Sequence, residues 1–78
     1  MAPNLSQRRA PADGAVIREL RLDQALSLPK AAALVGCHFK SLEKIERGRR
    51  GASEIMLRKI ARAYGVKPDE IRKQDVAA

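Results

Sequence analysis

The apolar residues of this chain come in short bursts at helical spacing, and glycine closes most of them. Ile17 and Leu20 stand three apart, Ala31 to Val35 run up to Gly36, Leu42 and Ile45 run up to Gly48, and Met56, Leu57, Ile60, Ala61 and Tyr64 form a longer stripe ending at Gly65. Positions three and four apart share one face of a helix, whereas a half-buried strand would alternate. A residue that tolerates positive φ just past the last turn stops a helix there. The pattern predicts several short helices, each with a narrow inward edge, and it carries no strand signal.

The starts can be read as well. Asp13, Ser27 and Ser53 precede three of the bursts and are side chains that accept from free N–H groups of a first turn. Asp13 opens helix one over about residues 14–25, in which Ile17 and Leu20 face inward and Gln24 follows at helical spacing. Ser27 opens helix two, where Pro29 is tolerated because its missing N–H has no intrahelical partner. The small residues Ala31, Ala32 and Ala33 let another helix approach, and Cys37 follows Gly36 as a small apolar plug in the turn. Helix three covers residues 38–46 and helix four about 54–64. Lys67-Pro68-Asp69-Glu70 opens a short fifth helix anchored by Ile71.

A chain of 78 residues with one cysteine allows a single small domain with a thin core and no disulfide support. The domain is expected over 13–73, after a disordered basic arm, 1–12, in which Pro3, Asn4, Ser6 and Pro11 break periodicity around Arg8-Arg9. The arm either has no role or lies along a nucleic acid. Residues 74–78 are expected to fray.

Charge and scarcity narrow the function classes. Sixteen Lys and Arg against nine Asp and Glu give a net +7, which suits a polyanion or an acidic membrane surface, although many small proteins use such charge for solubility alone. One Cys and one His build no zinc site, no metal or other cofactor is expected, and a lone cysteine suits a reducing cytoplasm. No apolar run approaches a membrane span or the core of a signal peptide. With no Trp, one Phe and one Tyr, single-strand binding by base stacking lacks its usual side chains. An enzyme needs a nucleophile with a base, paired carboxylates in a cleft or a metal, and none is offered.

The stretch from His38 to Arg50 carries the chemistry. Leu42 and Ile45 hold it by one edge, which leaves Phe39, Lys40, Glu43 and Lys44 on other faces, and Arg47, Arg49 and Arg50 crowd around the stop at Gly48. A short helix with a long polar face that ends in arginines suits a nucleic-acid groove. Lys40 and Lys44, four apart, can donate to guanine O6 and N7 or to phosphates, or form a solvated basic face. Glu43 accepts from cytosine N4 or offsets nearby lysines. Phe39 packs on a thymine methyl, folds back onto the core, or joins a protein interface. His38 meets a phosphate when protonated or serves as a weak cap. Cys37 senses oxidation or fills the turn as a buried apolar residue.

Taken in order, Ile17-Arg18-Glu19-Leu20-Arg21, Leu26-Ser27, Ala32, Val35-Gly36-Cys37, Ile45-Glu46-Arg47-Gly48-Arg49 and Leu57-Arg58-Lys59-Ile60-Ala61-Arg62-Ala63-Tyr64-Gly65-Val66 resemble the Xre family, the phage-repressor-like and Cro-like helix-turn-helix domains. The match runs from about Ile17 to Ile71. It implies an all-α, compact five-helix fold of the phage-repressor type, in which helix two crosses the DNA backbone and helix three enters the major groove. By family position Phe39, Lys40 and Lys44 would face base edges, with Glu43 beside them. Ser27, His38, Ser41, Arg47, Arg49 and Arg50 would lie near phosphates. Arg21 and Glu46 match a pair that in many members joins helix one to the end of helix three and would set the angle of the reading helix. The chain departs from the family at Leu28, where Gln usually contacts the backbone, at Pro29 and Ala31 in the same helix, at His38 in place of a small cap, and at Ala25 in place of a common Gly.

The resemblance implies a sequence-specific regulator of double-stranded DNA in the cytoplasm, nucleoid-associated when bound. Its simplest mechanism is a repressor occupying an operator. One short helix reads too few base pairs, so a homodimer on two half-sites about 34–36 Å apart is expected, with contacts from Ile55, Ile71 or Val76. The other reading is a protein-interaction adapter, or antitoxin-like partner, on the same fold, favoured by Phe39 and the missing Gln.

Overall fold

The computed structural model describes residues 9, 10 and 12–73. Five helices follow one another: α1 (Gly14–Asp23), α2 (Leu28–Val35), α3 (Phe39–Glu46), α4 (Glu54–Tyr64) and α5 (Pro68–Ile71). Each of the first four begins on a side chain that takes an N–H of the first turn. Asp13 accepts from Val16 N at 3.2 Å, Ser27 from Lys30 N at 3.2 Å, the His38 Nδ1 from Lys40 N at 3.2 Å, and Ser53 from Met56 N at 3.1 Å. These bonds satisfy donors that the helix itself cannot. At the other end of α2, Gly36 stands at φ +89° and both its N–H and that of Cys37 return to the Ala32 carbonyl.

The inward edges meet in one core. Ile17, Leu42, Leu57, Ile60 and Ile71 are fully buried, with Ile45, Val35 and Tyr64 nearly so. Ala31 and Ala32 are buried where α2 packs between α3 and α4, since side chains this small permit close axes. Leu20, Leu28, Cys37 and Met56 are partly buried against the same cluster. Gln24 closes the far end of α1 by donating to the Tyr64 carbonyl at 3.0 Å.

Several expectations are corrected. Two short strands are present, β1 (Arg9–Ala10) and β2 (Ala52–Ser53), antiparallel with Arg9 opposite Ser53 and Ala10 opposite Ala52. A further bridge joins Ala12 to Arg72. The expected disordered arm therefore gives way to paired chain at residues 9, 10 and 12, while its remaining residues, and the tail at 74–78, lie outside the described residues. Two-residue strands have no period to read, and their pairing joins segments far apart in sequence. The loop after α3 runs at its end into β2, where Ala52 is buried. Helix one ends at Asp23, two residues before the expected stop, because Ala25 leaves it at φ +56°. Ile71 is fully buried and has no surface to offer a partner. No helix among the described residues is long and apolar enough to cross a membrane.

Candidate nucleic-acid interface

The sequence of α3 divides its faces before any packing is considered, and the fold then spends one face on the core. Leu42 and Ile45 are buried and Glu46 is 9 % exposed, whereas Phe39, Lys40 and Lys44 point to solvent and Ser41 and Glu43 are half-buried. Three of the four candidate base-contacting residues, Phe39, Lys40 and Lys44, thus lie on the part of α3 that the domain leaves uncovered, and the fourth, Glu43, is half-buried. Phe39 is 38 % exposed and does not join the core. Its ring stacks on His38, with centroids 4.7 Å apart and planes at 26°, and the Lys40 ammonium lies 5.9 Å from its centroid. Stacking of this kind stiffens an exposed aromatic side chain. Glu43 meets Arg47 at 3.9 Å, a weak surface pair, rather than a lysine.

The candidate phosphate contacts surround that face. Arg47 and Arg49 are exposed, Arg50 is half-buried, and Ser27 and His38 are exposed at the N-terminal caps of α2 and α3. Leu28 lies half-buried against the core at the start of α2 and offers no polar group there. Pro29 has no N–H, and the N–H of Lys30 is held by Ser27. The first turn of α2 therefore presents few free donors.

One guanidinium sets the geometry behind this surface. Arg21 on α1 donates from Nε to Glu46 Oε2 at 2.7 Å and from Nη2 to Glu46 Oε1 at 3.1 Å, a two-pronged pair at the end of α3. Its Nη1 reaches the Leu26 carbonyl at 2.9 Å, in the turn that leads into α2. One side chain thus ties α1 both to the end of α3 and to the turn that leads into α2. The pair is nearly dry, with side chains 10 % and 4 % exposed, and the bond to Glu46 raises the Arg21 pKa above its ordinary value. Beside it the Tyr64 hydroxyl is buried with no hydrogen-bond partner among the described residues. Burial pushes its pKa up to about 12, helped by the Glu46 charge and opposed by Arg21. Burial likewise pushes the Cys37 thiol up, against the pull of Lys59, so it is not an activated thiolate.

Two features of the scaffold have no counterpart in the sequence pattern. Gly14, the first residue of α1, lies against the last turn of α3, where a Cβ would come within 2.8 Å of the Glu46 carbonyl carbon and closer still to the Ile45 and Glu46 oxygens. Arg72 donates through Nη2 to both Glu54 oxygens at 2.9 and 2.7 Å and through Nη1 to Asp69, fixing the chain after α5 to the start of α4. A glycine at a helix start and an Arg among many charged residues give no hint of such partners.

Residues 14–74 match the family model described as a helix-turn-helix domain. Among solved structures the chain is similar to the restriction-modification controller protein C.AhdI from Aeromonas hydrophila, at 35 % identity over 73 % of this chain and 86 % of that one, with a TM-score of 0.70. It is similar to SinR, the master regulator for biofilm formation, in complex with DNA, at 26 % identity over 72 % and 90 % of the two chains, TM-score 0.68. It is also similar to the clp gene regulator ClgR from C. glutamicum, at 26 % identity over 88 % and 84 %, TM-score 0.68. No curated protein matches the chain.

Proposed function

The chain belongs to the Xre-type helix-turn-helix domain family and is a DNA-binding transcriptional regulator; from that premise we propose that it is a repressor that binds an operator as a dimer, with α3 in the major groove. The observation that carries the reading is the uncovered face of α3, on which Phe39, Lys40 and Lys44 stand exposed while Leu42 and Ile45 hold the helix from behind. In this arrangement Lys40 and Lys44 donate to guanine edges and Phe39 lies against a thymine methyl, with Glu43 available to a cytosine amine. Ser27, His38, Ser41, Arg47, Arg49 and Arg50 hold the flanking phosphates and set the register. Ile55, 52 % exposed on α4, is the dimer candidate among the described residues. The DNA-bound protein works in the cytoplasm, on the nucleoid.

Selection from a random duplex pool tests this. Enrichment of two inverted half-sites about 34–36 Å apart is the expected result. Lys40→Ala with Lys44→Ala should then abolish the preference for that sequence, whereas Arg49→Ala should weaken every duplex alike. Binding without enrichment would sink the specific-regulator reading. The exposed Phe39 ring favours one other reading, a protein partner docked on the same face. Absence of any duplex binding would bring that reading forward.

A further inference from the structure

The loop after α3 and the chain after α5 meet around an open cleft of about 310 Å³ lined by Ala12, Gly48, Arg49, Arg50, Gly51 and Lys73. Among the described residues, every charged side chain in this lining is a cation. Among the described residues no ion pair holds Arg49, Arg50 or Lys73, although most other arginines near the site are engaged with carboxylates. The rest of the described lining is glycine and alanine. The adjoining cleft toward α1 shares Lys73 and is of mixed charge, with Asp13 and Glu46 beside Arg47.

The cations are held in place from behind. Gly48 turns at φ +73°, the Arg49 N–H returns to the Lys44 carbonyl at 2.9 Å, and the loop ends in β2 with Ala52 buried. On the other wall Arg72 is locked by Glu54 and Asp69 and bridged to Ala12, and the Asp13 N–H donates to the Ile71 carbonyl at 2.8 Å. Lys73, the next residue, is exposed and directed by that framework to the same cleft as Arg49 and Arg50.

We infer that this cleft is a phosphate site in which Lys73 joins Arg49 and Arg50, and, resting on the DNA-binding reading above, that it takes a backbone phosphate flanking the bases met by α3. Guanidinium forks match phosphate oxygens in pairs, and a lysine adds a third charge from the opposite wall. The contact draws the end of the domain, a region outside the helix-turn-helix itself, into the DNA surface.

The test measures duplex affinity against salt for the full chain, for Lys73→Ala, and for Arg62→Ala, an equal loss of charge on the exposed side of α4. Lys73→Ala should lower the slope of log affinity against log salt by up to about 0.9, the release of one whole phosphate contact, and Arg62→Ala should not. In parallel, amide NMR shifts of the wild-type chain are followed during titration with inorganic pyrophosphate. Movement at Gly48, Arg49 and Lys73 without a slope change would assign the site to a free phosphate ligand instead of DNA. An equal slope for Lys73→Ala and wild type together with unmoved amides would overturn the site, and wild-type duplex binding would leave the DNA reading standing. Equal slope losses in both variants would also overturn it, as an effect of net charge alone. Pyrophosphate shifts in a chain that binds no duplex would leave the site standing and remove the DNA reading.

Discussion

Gly14 and Glu46 touch backbone to backbone, the first residue of α1 against the last residue of α3. A side chain as small as a methyl group has no room between them, because what it would meet is peptide carbonyl and not the end of a flexible chain. Gly14→Ala should destabilise the domain by about 1–3 kcal/mol, the usual cost of overpacking, despite alanine's better helix propensity. A urea titration reads this directly. A variant as stable as wild type would show that α1 and α3 can slide apart freely.

Arg21→Ala removes one half of a dry ion pair and leaves Glu46 facing the core without its partner. Such a change costs about 3–5 kcal/mol, a large part of what a domain this small has to lose. Thermal melting should show it, and DNA affinity should fall with it more than for an exposed substitution. The double variant Arg21→Met with Glu46→Leu should recover much of the stability, since an apolar pair leaves no buried charge. It should not recover the affinity in full, because the bond to the Leu26 carbonyl and the set of α3 are still lost. Wild-type melting and affinity in Arg21→Ala would refute the bracing role.

Tyr64→Phe deletes a buried hydroxyl that has no hydrogen-bond partner among the described residues. Melting should be unchanged or raised, because an unsatisfied buried polar group is costly. The pH dependence has a definite sign. The folded state holds the phenol proton up to about 12, against an ordinary value of 10.0. Between those values the unfolded chain has lost the proton and the folded one has kept it, so unfolding releases a proton. The stability Tyr64 contributes by staying neutral is full below pH 10 and is lost as pH rises toward 12. Tyr64 is the single tyrosine, so tyrosinate absorbance follows this one group. An alkaline loss of stability that persists unchanged in Tyr64→Phe would assign it to other groups.

Ala25 occupies the left-handed region at φ +56°, where an L side chain is strained. Ala25→Gly should raise stability by about 0.5–1 kcal/mol, the relief of that strain less the added freedom of the unfolded chain. A chemical denaturation midpoint at or below wild type would contradict it. DNA affinity is expected to stay level, since Ala25 lies in the turn before α2 and outside the α3 face.

Much of this was legible in the residues. The caps at Asp13, Ser27 and Ser53, the glycine stops and the α4 stripe are local signals, decided within one or two turns of chain, and they placed α2, α3 and α4 closely. The candidate reading face was legible in part for the same reason, since Leu42 and Ile45 can face inward only if Lys40 and Lys44 face outward, whereas Phe39, three residues before Leu42, was placed outside the core only by the tertiary structure. Arg21 and Glu46 were paired only through likeness to a family, because residues in separate helices have no spacing relation to read. Ile71 looked as available to a partner as Ile55, since a four-residue helix shows too little of its pattern to separate a buried position from an exposed one.

The sequence by itself determined which segments are helical, where they stop, and which side chains a short third helix must turn outward, because those outcomes follow from periodicity, capping and the φ preferences of single residues. Only the tertiary structure decided that Gly14 meets a carbonyl, that β1 pairs with β2, that Arg21 reaches the Leu26 carbonyl as well as Glu46, and that Lys73 stands across a cleft from Arg49 and Arg50. Each of these joins residues distant in the chain, and distance in sequence places no limit on which side chains a closed core brings together.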